Sequence, residues 1–183
     1  MDIVNKLIET FNLKPKQKTA NQIRVDVDKK LVSSVLLYLK NQQGFIHLNH
    51  ISCVDWIEES QFELVYIVWN PKTKLTVMVH TRIERENAEM ENIDTIWDQA
   101  NTYEREFREM YGIEFPGLVG RKEFILEDWT EMPPMRRDFD TQKYAKETFE
   151  TRPGRENAQD VREELMKRTG EELPDFAKKY SRD

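Results

Sequence analysis

Cysteine is almost absent from this chain of 183 residues, which contains a single thiol, Cys53. One thiol cannot form an intrachain disulfide, so nothing indicates a disulfide-stabilised secreted domain. An iron–sulfur cluster held within one chain normally needs about four thiolate ligands. If the protein takes part in electron transfer, we therefore expect the electrons to pass through other chains.

Long apolar runs and an excess of basic residues are also missing. No apolar run approaches the roughly 20 residues that span a bilayer, and the first residues show no signal-peptide pattern. The net charge of -6 gives no basic surface for nucleic acid, and an anionic membrane surface would be a poor partner. Charged residues make up 34% of the chain, and their Glu and Lys content is compatible with a thermophilic origin.

The three histidines do not form a recognisable catalytic or metal-binding pattern. His47, His50 and Cys53 recur at steps of three, but in a strand such neighbours lie on opposite faces and cannot converge on one ion. His80 is expected to be an isolated histidine at the end of a strand. We therefore predict no catalytic, cofactor-binding or metal-binding residues in this chain.

Hydrophobic periodicity over residues 1–100 predicts an α+β fold in which N-terminal helices pack on a mostly antiparallel sheet. An amphipathic helix is expected over residues 2–12, and a second helix begins after the cap residue Asp28 and ends at Gly44. The predicted strands cover residues 23–27, 45–56, 62–69 and 75–79. Because short loops join the last three strands, we expect them to form an antiparallel meander.

Short helices and an extended C-terminal tail are expected after this domain. The helices are predicted over residues 93–100 and 103–111, with Gly112 ending the second. Residues 140–183 contain 21 charged side chains and eight large apolar ones, too few for an independent core. The expected organisation is an α+β domain (1–100), an interface segment (101–139) and a charged tail (140–183) with one helix near residues 156–169.

The stretch from Tyr103 to Phe139 carries the most specific motifs. In order, they are Glu104-Arg105-Glu106, Tyr111-Gly112-Ile113, Gly117, Arg121 with the strand-like run Phe124-Ile125-Leu126, Asp128-Trp129, Pro134 and Arg137-Asp138-Phe139. This block resembles the signature region of the 30 kDa subunit family of respiratory complex I. The family includes the homologous subunit of membrane-bound nickel–iron (NiFe) hydrogenases and of related archaeal respiratory complexes. The resemblance is sharp over residues 103–139, looser over residues 1–100, and fades after residue 140.

One departure from the family pattern indicates the type of respiratory complex. Complex I members usually carry Gly-His-Pro in the loop after the aromatic-Gly-Ile turn, whereas this chain has Pro116-Gly117-Leu118-Val119-Gly120. The difference favours a hydrogenase-like or related archaeal complex over the alternative, an NADH:quinone oxidoreductase.

The resemblance implies a subunit without a cofactor of its own, on the cytoplasmic side of the cell membrane, in the peripheral arm of an ion-translocating oxidoreductase complex. Its implied task is to clamp a large catalytic subunit and a small iron–sulfur subunit. Those partners would hold the iron–sulfur clusters and, in hydrogenase-like complexes, the NiFe centre. The residues implied in partner binding are Glu104, Arg105, Glu106, Arg121, Asp128, Trp129, Arg136, Arg137 and Asp138. Family members often have an extended C-terminus that wraps along neighbouring subunits, which favours the same for the tail.

Simpler interpretations of these motifs exist. Helix residues two apart point about 200° away from each other, so Glu104 and Glu106 cannot act on one substrate and would ordinarily be solvated charges. No Gly-rich phosphate cradle accompanies the arginines, so they are expected to bind carboxylates or carbonyls. Trp129 fits an interface anchor and the chain's own core about equally well.

Two functions from other classes remain open at this point. A small stand-alone hydrolase would use acids near Asp128 and His80, and would lose turnover in an Asp128→Asn variant. A soluble regulatory module would bind a partner without chemistry. An assembly subunit should instead show no turnover alone and should copurify with other chains.

Overall fold

The predicted α+β architecture is confirmed by the computed structural model, which describes residues 2–120, 123–149 and 170. The chain divides into two units, Met1–Phe139 and Asp140–Asp183. Arg121 and the helix predicted near residues 156–169 lie outside the described residues. The elements of the first unit are α1 (Asp2–Phe11), β1 (Lys16–Thr19), β2 (Gln22–Asp26), α2 (Val32–Gln43), β3 (His47–Trp56), β4 (Gln61–Asn70), β5 (Leu75–Glu84) and α3 (Ala100–Tyr111), with 3-10 turns at Lys29–Leu31 and Ile57–Glu59; in the second unit, α4 spans Thr141–Thr148.

The five strands form one mixed sheet in the order β1-β2-β5-β4-β3. The antiparallel meander is confirmed, because β4 pairs antiparallel with both β3 and β5. Strand β2 lies parallel to the other edge of β5, and β1 pairs antiparallel with β2. Periodicity did not predict β1, since its four residues, Lys-Gln-Lys-Thr, are all exposed and carry no apolar alternation.

The core lies on one face of this sheet. Along β4, the alternate residues Phe62, Leu64, Tyr66 and Val68 are at most 1% exposed. Helices α1 and α2 contribute fully buried side chains to the same core, so they cover this face as the sequence predicted. The stretch from Ala88 to Trp97 and the buried face of α3 complete it. No helix in the described part of the chain is long and apolar enough to cross a membrane.

Two predicted boundary residues of α2 act as expected. The carboxylate of Asp28 accepts a hydrogen bond from the backbone N–H of Lys30 at 2.9 Å, at the start of the turn that leads into the helix. Gly44 ends the helix with φ +73° and donates its N–H to the carbonyl of Leu39.

The helix predicted over residues 93–100 is wrong. Residues 94–96 and 98–99 form turns, and helix α3 begins at Ala100. The apolar spacing indicated a helix because Ile93 and Trp97, four residues apart, are both buried, as they would be on one face of a helix. The backbone forms short turns instead, in which the N–H groups of Ile96 and Trp97 donate to the carbonyl of Ile93 and that of Ala100 donates to the carbonyl of Trp97. The N–H groups of Ile93 and Asp94 donate to the side chains of Glu104 and Asn92.

The free edge of the sheet, along β3, is covered by side chains from the segment that follows β5. The indole of Trp97 donates to the carbonyl of Ile46 at 2.9 Å, and the amide of Gln99 donates to the carbonyl of Leu48. The hydroxyl of Tyr111 reaches the carbonyl of Cys53 at 3.4 Å. These contacts occupy acceptors that an uncovered edge strand would offer to another chain.

Candidate subunit interface

The residues of the Glu-Arg-Glu motif lie on different faces of helix α3. Its buried residues are Ala100, Glu104, Phe107, Met110 and Tyr111, which recur at steps of three and four. Arg105 and Glu106 point away from that face and are half-buried. The two carboxylates of the motif are therefore not brought together, as the helical geometry predicts.

Glu104 is a buried carboxyl group in the core, only 1% exposed. Its Oε1 accepts a hydrogen bond from the backbone N–H of Ile93 at 2.8 Å, and its buried Oε2 has no hydrogen-bond partner among the described residues. Burial raises the pKa of Glu104 to about 7; the Ile93 N–H opposes the rise and the carboxylate of Asp94 adds to it. Glu104 thus fastens α3 to the preceding turn and shows no surface to a partner.

Arg105 packs against the loop that follows the helix. Its guanidinium lies over the ring of Phe124, with Cζ 4.3 Å from the ring centroid, and its Nη2 donates to the carbonyl of Glu123 at 3.3 Å. A Cβ at Gly120 would lie 3.0 Å from Arg105 Nε, and Gly120 has φ +128°. The glycine therefore lets the loop pass closely over the arginine stem.

Glu109, which the sequence reasoning did not select, fixes the same loop. Its carboxylate accepts three backbone hydrogen bonds, from Phe124 and Ile125 at 2.8 Å and from Leu126 at 3.1 Å. The strand-like run predicted at residues 124–126 is accordingly not a strand, because these amides bind a side chain rather than a neighbouring strand. Glu109 lies four residues after Arg105 on the same helical face, which is the signal that could have identified it.

Residues 133–139, named here the strap, pack on the C-terminal end of α3. The N–H of Met135 donates to the carbonyl of Met110 at 3.0 Å, and Arg136 Nε donates to the carbonyl of Tyr111 at 2.7 Å. Both acceptors belong to the last turn, where carbonyls lack helical partners. Gly112 follows with φ +72°, and a Cβ there would lie 3.1 Å from Pro133 Cγ and from Arg136 Nη2.

A buried carboxylate, Asp55, ties the strap to the sheet. Its side chain is 2% exposed and receives a two-point contact from Arg85, with Nε–Oδ1 at 2.9 Å and Nη2–Oδ2 at 3.1 Å. The backbone N–H of Arg137 donates to Asp55 Oδ2 at 3.0 Å. Arg85 Nη2 also lies 2.5 Å from Asp138 Oδ1, which lowers the pKa of Asp138. Asp55 and Arg85 carried no local sequence signal, since their pairing spans 30 residues.

The two arginines of the strap have different surroundings. Arg136 is half-buried, with its guanidinium 5.4 Å from the centroid of Phe62, and burial lowers its pKa. Arg137 is exposed and pairs with the exposed Glu58 at 2.7 Å. Of the cations selected from the sequence, Arg137 therefore presents its charge on the surface, while Arg136 is used inside the fold.

Asp128 and Trp129 lie side by side at the surface with different contacts. Asp128 is exposed and has φ +52°. Trp129 is half-buried, donates its indole N–H to the carbonyl of Met132 at 3.1 Å, and packs on Phe139 with ring centroids 5.7 Å apart. The tryptophan thus supports this chain's own loop. The exposed apolar residues of the segment are others, which sequence reasoning missed: Val119, Ile125, Met132 and Met135.

The prediction of an isolated His80 at a strand end is wrong. His80 lies within β5, and its Nδ1 is 2.8 Å from Glu63 Oε1. Glu63 also receives the indole N–H of Trp56 at 2.8 Å and Arg24 Nη2 at 3.1 Å. Alternating periodicity could not reveal this pair because it depends on the register between β4 and β5.

The surface around His80 does not include Asp128. The two residues line separate depressions, one beside Arg24 and Glu63 and the other beside Arg108 and Leu126. A hydrolase site built from both residues is therefore not assembled. Within the described ranges, no three His, Cys, Asp or Glu side chains are grouped to hold a metal ion.

Comparison with known proteins identifies the family. Residues 25–145 match the model of the respiratory-chain NADH dehydrogenase 30 Kd subunit. The chain is 33% identical over 120 residues to the C-type subunit of the F(420)H(2) dehydrogenase of Methanosarcina mazei, covering 65% of this chain and 76% of the relative. It is 28% identical over 106 residues to the C-type subunit of the NADH-quinone oxidoreductase of Moorella thermoacetica, covering 58% and 72%.

Solved structures agree with this assignment. One chain of the membrane-bound sulfane sulfur reductase, an archaeal respiratory membrane complex, aligns with a TM-score of 0.73 and 27% identity, covering 83% of this chain and 95% of the other. The trypsin-resistant fragment of Nqo5 aligns with a TM-score of 0.56 and 18% identity, covering 66% and 98%, and shares the fold. The protein therefore belongs to the respiratory-chain NADH dehydrogenase 30 Kd subunit family, as a complex I-type subunit of a respiratory oxidoreductase complex.

Proposed function

We propose that this chain is a non-catalytic assembly subunit that clamps a large catalytic subunit and a small iron–sulfur subunit of an ion-translocating, membrane-bound oxidoreductase. The observation that carries the proposal is the alignment with a subunit of an archaeal respiratory membrane complex over 95% of that subunit's length. Redox centres must keep a fixed spacing for electrons to pass between them, and a rigid protein between two subunits can set that spacing.

The anchored segment after α3 supports this role. Its loop is held by Glu109 and Arg105, and its strap is held by Asp55 and the last turn of α3. A loop fixed in advance loses less conformational entropy when a partner binds. The contact surface we propose consists of the exposed or half-exposed members of the motif: Arg105, Glu106, Asp128, Trp129, Arg137 and Asp138.

The inward-facing motif residues would act indirectly. Glu104 and Arg136 hold α3 and the strap in place, so they position the contact surface without touching a partner. Arg121 stays a proposed contact residue on the strength of the family motif, and the charged residues 140–183 are proposed to lie along neighbouring subunits.

The redox chemistry is assigned to the partners. We propose that the neighbouring subunits hold the iron–sulfur clusters and, in a hydrogenase-like complex, a NiFe centre, while this chain holds no cofactor. The complex would lie at the cytoplasmic side of the cell membrane, attached through other subunits. A hydrogenase-like or related archaeal complex is our first assignment, supported by the likeness to the sulfane sulfur reductase and F(420)H(2) dehydrogenase subunits.

An NADH:quinone oxidoreductase is the second candidate. The relative from Moorella thermoacetica, which is 28% identical, is a subunit of such an enzyme. We rank this candidate second because the chain has Pro116-Gly117-Leu118-Val119-Gly120 in the loop where that branch usually carries Gly-His-Pro.

The test is purification of the intact complex from native membranes through a tag on this chain, followed by mass spectrometry of every associated subunit. We expect a large catalytic subunit and a small cluster-bearing subunit in constant proportion. Activity assays on that complex then distinguish the candidate types of complex. NADH, reduced F420 and hydrogen are tested as electron donors, and sulfane sulfur compounds as electron acceptors. A chain that runs as a free monomer in the native extract would refute the proposal.

Variants of the contact surface refine the test. Arg137→Ala removes an exposed charge whose partner Glu58 is also exposed, so the circular dichroism spectrum should stay unchanged while copurification weakens. Lys16→Ala is a matched control, since Lys16 pairs with the exposed Asp26 and lies on β1, the edge strand on the far side of the sheet from β3. Equal copurification of both variants with the wild type would argue against contact at Arg137.

A further inference from the structure

Four large apolar side chains project from the surface within the 17 positions from Val119 to Met135. Val119 is 74% exposed, Ile125 57%, Met135 51% and Met132 43%; they are four of the ten large apolar side chains that are exposed among the described residues. Single exposed apolar side chains are ordinary, but a concentration on one segment marks an interaction surface.

The loop that carries two of these side chains is held by internal contacts. Glu109 binds the N–H groups of Ile125 and both its neighbours, and the carbonyl of Met132 receives the indole N–H of Trp129. Ile125 and Met132 are therefore presented on a prearranged backbone. Leu126, which follows Ile125 in the chain, and Trp129, whose indole donates to the carbonyl of Met132, line a depression of about 480 Å³ against the outer side of α3.

Negative charge surrounds this depression. Among the residues that the structure describes, four carboxylates line it, from Glu109, Glu114, Glu123 and Asp128, against one guanidinium, Arg108. The loop adds Glu127 and Glu131, both exposed, while its two cations, Arg121 and Lys122, lie outside the described residues. A surface that combines apolar side chains with several carboxylates is complementary to one that combines apolar side chains with lysine or arginine.

We propose that this depression and the apolar side chains beside it, together named the acidic face, bind a segment of a neighbouring subunit that carries lysine or arginine next to an apolar side chain. The inference rests on the proposed function and adds the chemistry of the partner. The apolar side chain of the partner packs on Ile125 and Met132, and its cation lies among the carboxylates.

The charges distinguish this occupant from others. A second copy docked through the same face would bring carboxylates against carboxylates, which is repulsive. Anionic lipid would meet the same repulsion, and the net charge of -6 adds to it. A basic segment of another subunit satisfies both the apolar and the charged part of the surface.

The first experiment maps the contact in the assembled complex. A photo-crosslinking amino acid replaces Ile125, and the same amino acid replaces Leu37 as a control, because Leu37 is an exposed side chain of the same size, 47% exposed, on α2. We expect the Ile125 probe to crosslink to a peptide of another subunit that contains lysine or arginine. Crosslinks from Ile125 to a second copy, to lipid, or to residues 150–183 of the same chain would overturn the proposal.

The second experiment tests the charge. Glu114→Lys with Glu123→Lys should weaken retention of the neighbouring subunit about tenfold and reduce its dependence on salt between about 0.05 and 0.3 M. Glu9→Lys with Glu86→Lys makes the same change of charge at two exposed acids elsewhere and should behave as the wild type. Equal retention and equal salt dependence of both double variants would refute the proposal.

The two proposals fail in different ways. If the tagged wild-type chain retains no other subunit, the assembly function itself is wrong. If the wild type assembles and the Glu114 and Glu123 variant assembles equally well, assembly uses another surface and only the acidic face is wrong.

Discussion

The carboxylate of Asp55 lies in two-point contact with the guanidinium of Arg85, at 2.9 and 3.1 Å, on the side of the sheet where the strap packs. The same guanidinium binds Asp138, which lies 53 residues further along the chain. One arginine therefore joins the end of β3 to the strap. Because Asp55 is nearly fully buried, this ion pair is screened less from its surroundings than a surface pair would be.

Removing one partner of this pair should destabilise the fold strongly. We expect Arg85→Ala to lower the free energy of unfolding by about 3–5 kcal/mol, because the buried charge of Asp55 is left without its cation. Urea unfolding monitored by circular dichroism measures the change. Arg137→Ala is the control, since Arg137 and Glu58 are both exposed, and it should leave the unfolding midpoint nearly unchanged. Similar losses of unfolding free energy in Arg85→Ala and Arg137→Ala would contradict a stabilising role for the buried pair.

Glu104 should make stability depend on pH in the direction opposite to that of an ordinary paired carboxylate. Its pKa rises from 4.5 to about 7 because its carboxyl group is buried without a cation. The folded state thus binds the proton more tightly than the unfolded state. This contribution to stability is complete below pH 4.5 and is lost as the pH rises through about 7.

The difference in pKa corresponds to a loss of roughly 2.5 kcal/mol of stability between pH 5 and pH 8. Unfolding by urea at both pH values, compared between the wild type and Glu104→Gln, isolates it, because the neutral amide cannot titrate. We expect a smaller loss of stability at pH 8 in the variant. Glu106→Gln provides a control on the same helix. If Glu104→Gln loses as much stability between pH 5 and pH 8 as the wild type does, the pH dependence comes from other groups.

The sequence predicted those parts of the fold that depend on local spacing. Strands β2 to β5, helices α1 and α2 and the cap residues follow from periodicity and from glycine and aspartate at boundaries. Strand β1 was missed because pairing with β2, rather than apolar alternation, makes it a strand. The helix expected at residues 93–100 was wrong because the backbone there closes separate short turns, one from Ile93 to Trp97 and one from Trp97 to Ala100, before α3 begins.

The candidate interface divides in the same way. The identity and order of the motif residues follow from the sequence. The direction in which each side chain points does not, because Glu104 and Arg136 turn inward only where the core and the strap pack around them. Asp55 and Glu63 became visible only through partners from other strands or segments. Long-range charge pairing depends on strand register, which a single sequence specifies weakly.

Gly112 should be intolerant of a side chain for two reasons. Its φ of +72° disfavours other residues, and a Cβ would crowd Pro133 and Arg136 at 3.1 Å. Gly117 has a similar φ of +85° but no atom within 4 Å of its Cβ position, so Gly117→Ala measures the backbone cost alone. We expect about 1 kcal/mol of destabilisation at Gly117 and a clearly larger loss at Gly112. Equal losses of stability in the two variants would mean that Pro133 and Arg136 move aside without destabilising the fold.

Glu109 should control the order of the loop that presents Ile125. Replacing its carboxylate by an apolar side chain of similar size, Glu109→Leu, leaves the N–H groups of residues 124–126 without their acceptor. We expect faster hydrogen exchange at these three amides and faster protease cleavage between residues 120 and 130, with little change in the exchange of β4 and β5. Glu106→Leu is the matched control, one turn away on the same helix, and should leave the three amides protected. If exchange at residues 124–126 is as slow in Glu109→Leu as in the wild type, other contacts hold the loop. In that case the stacking of Arg105 on Phe124 is the remaining candidate, and Arg105→Ala would then release the loop.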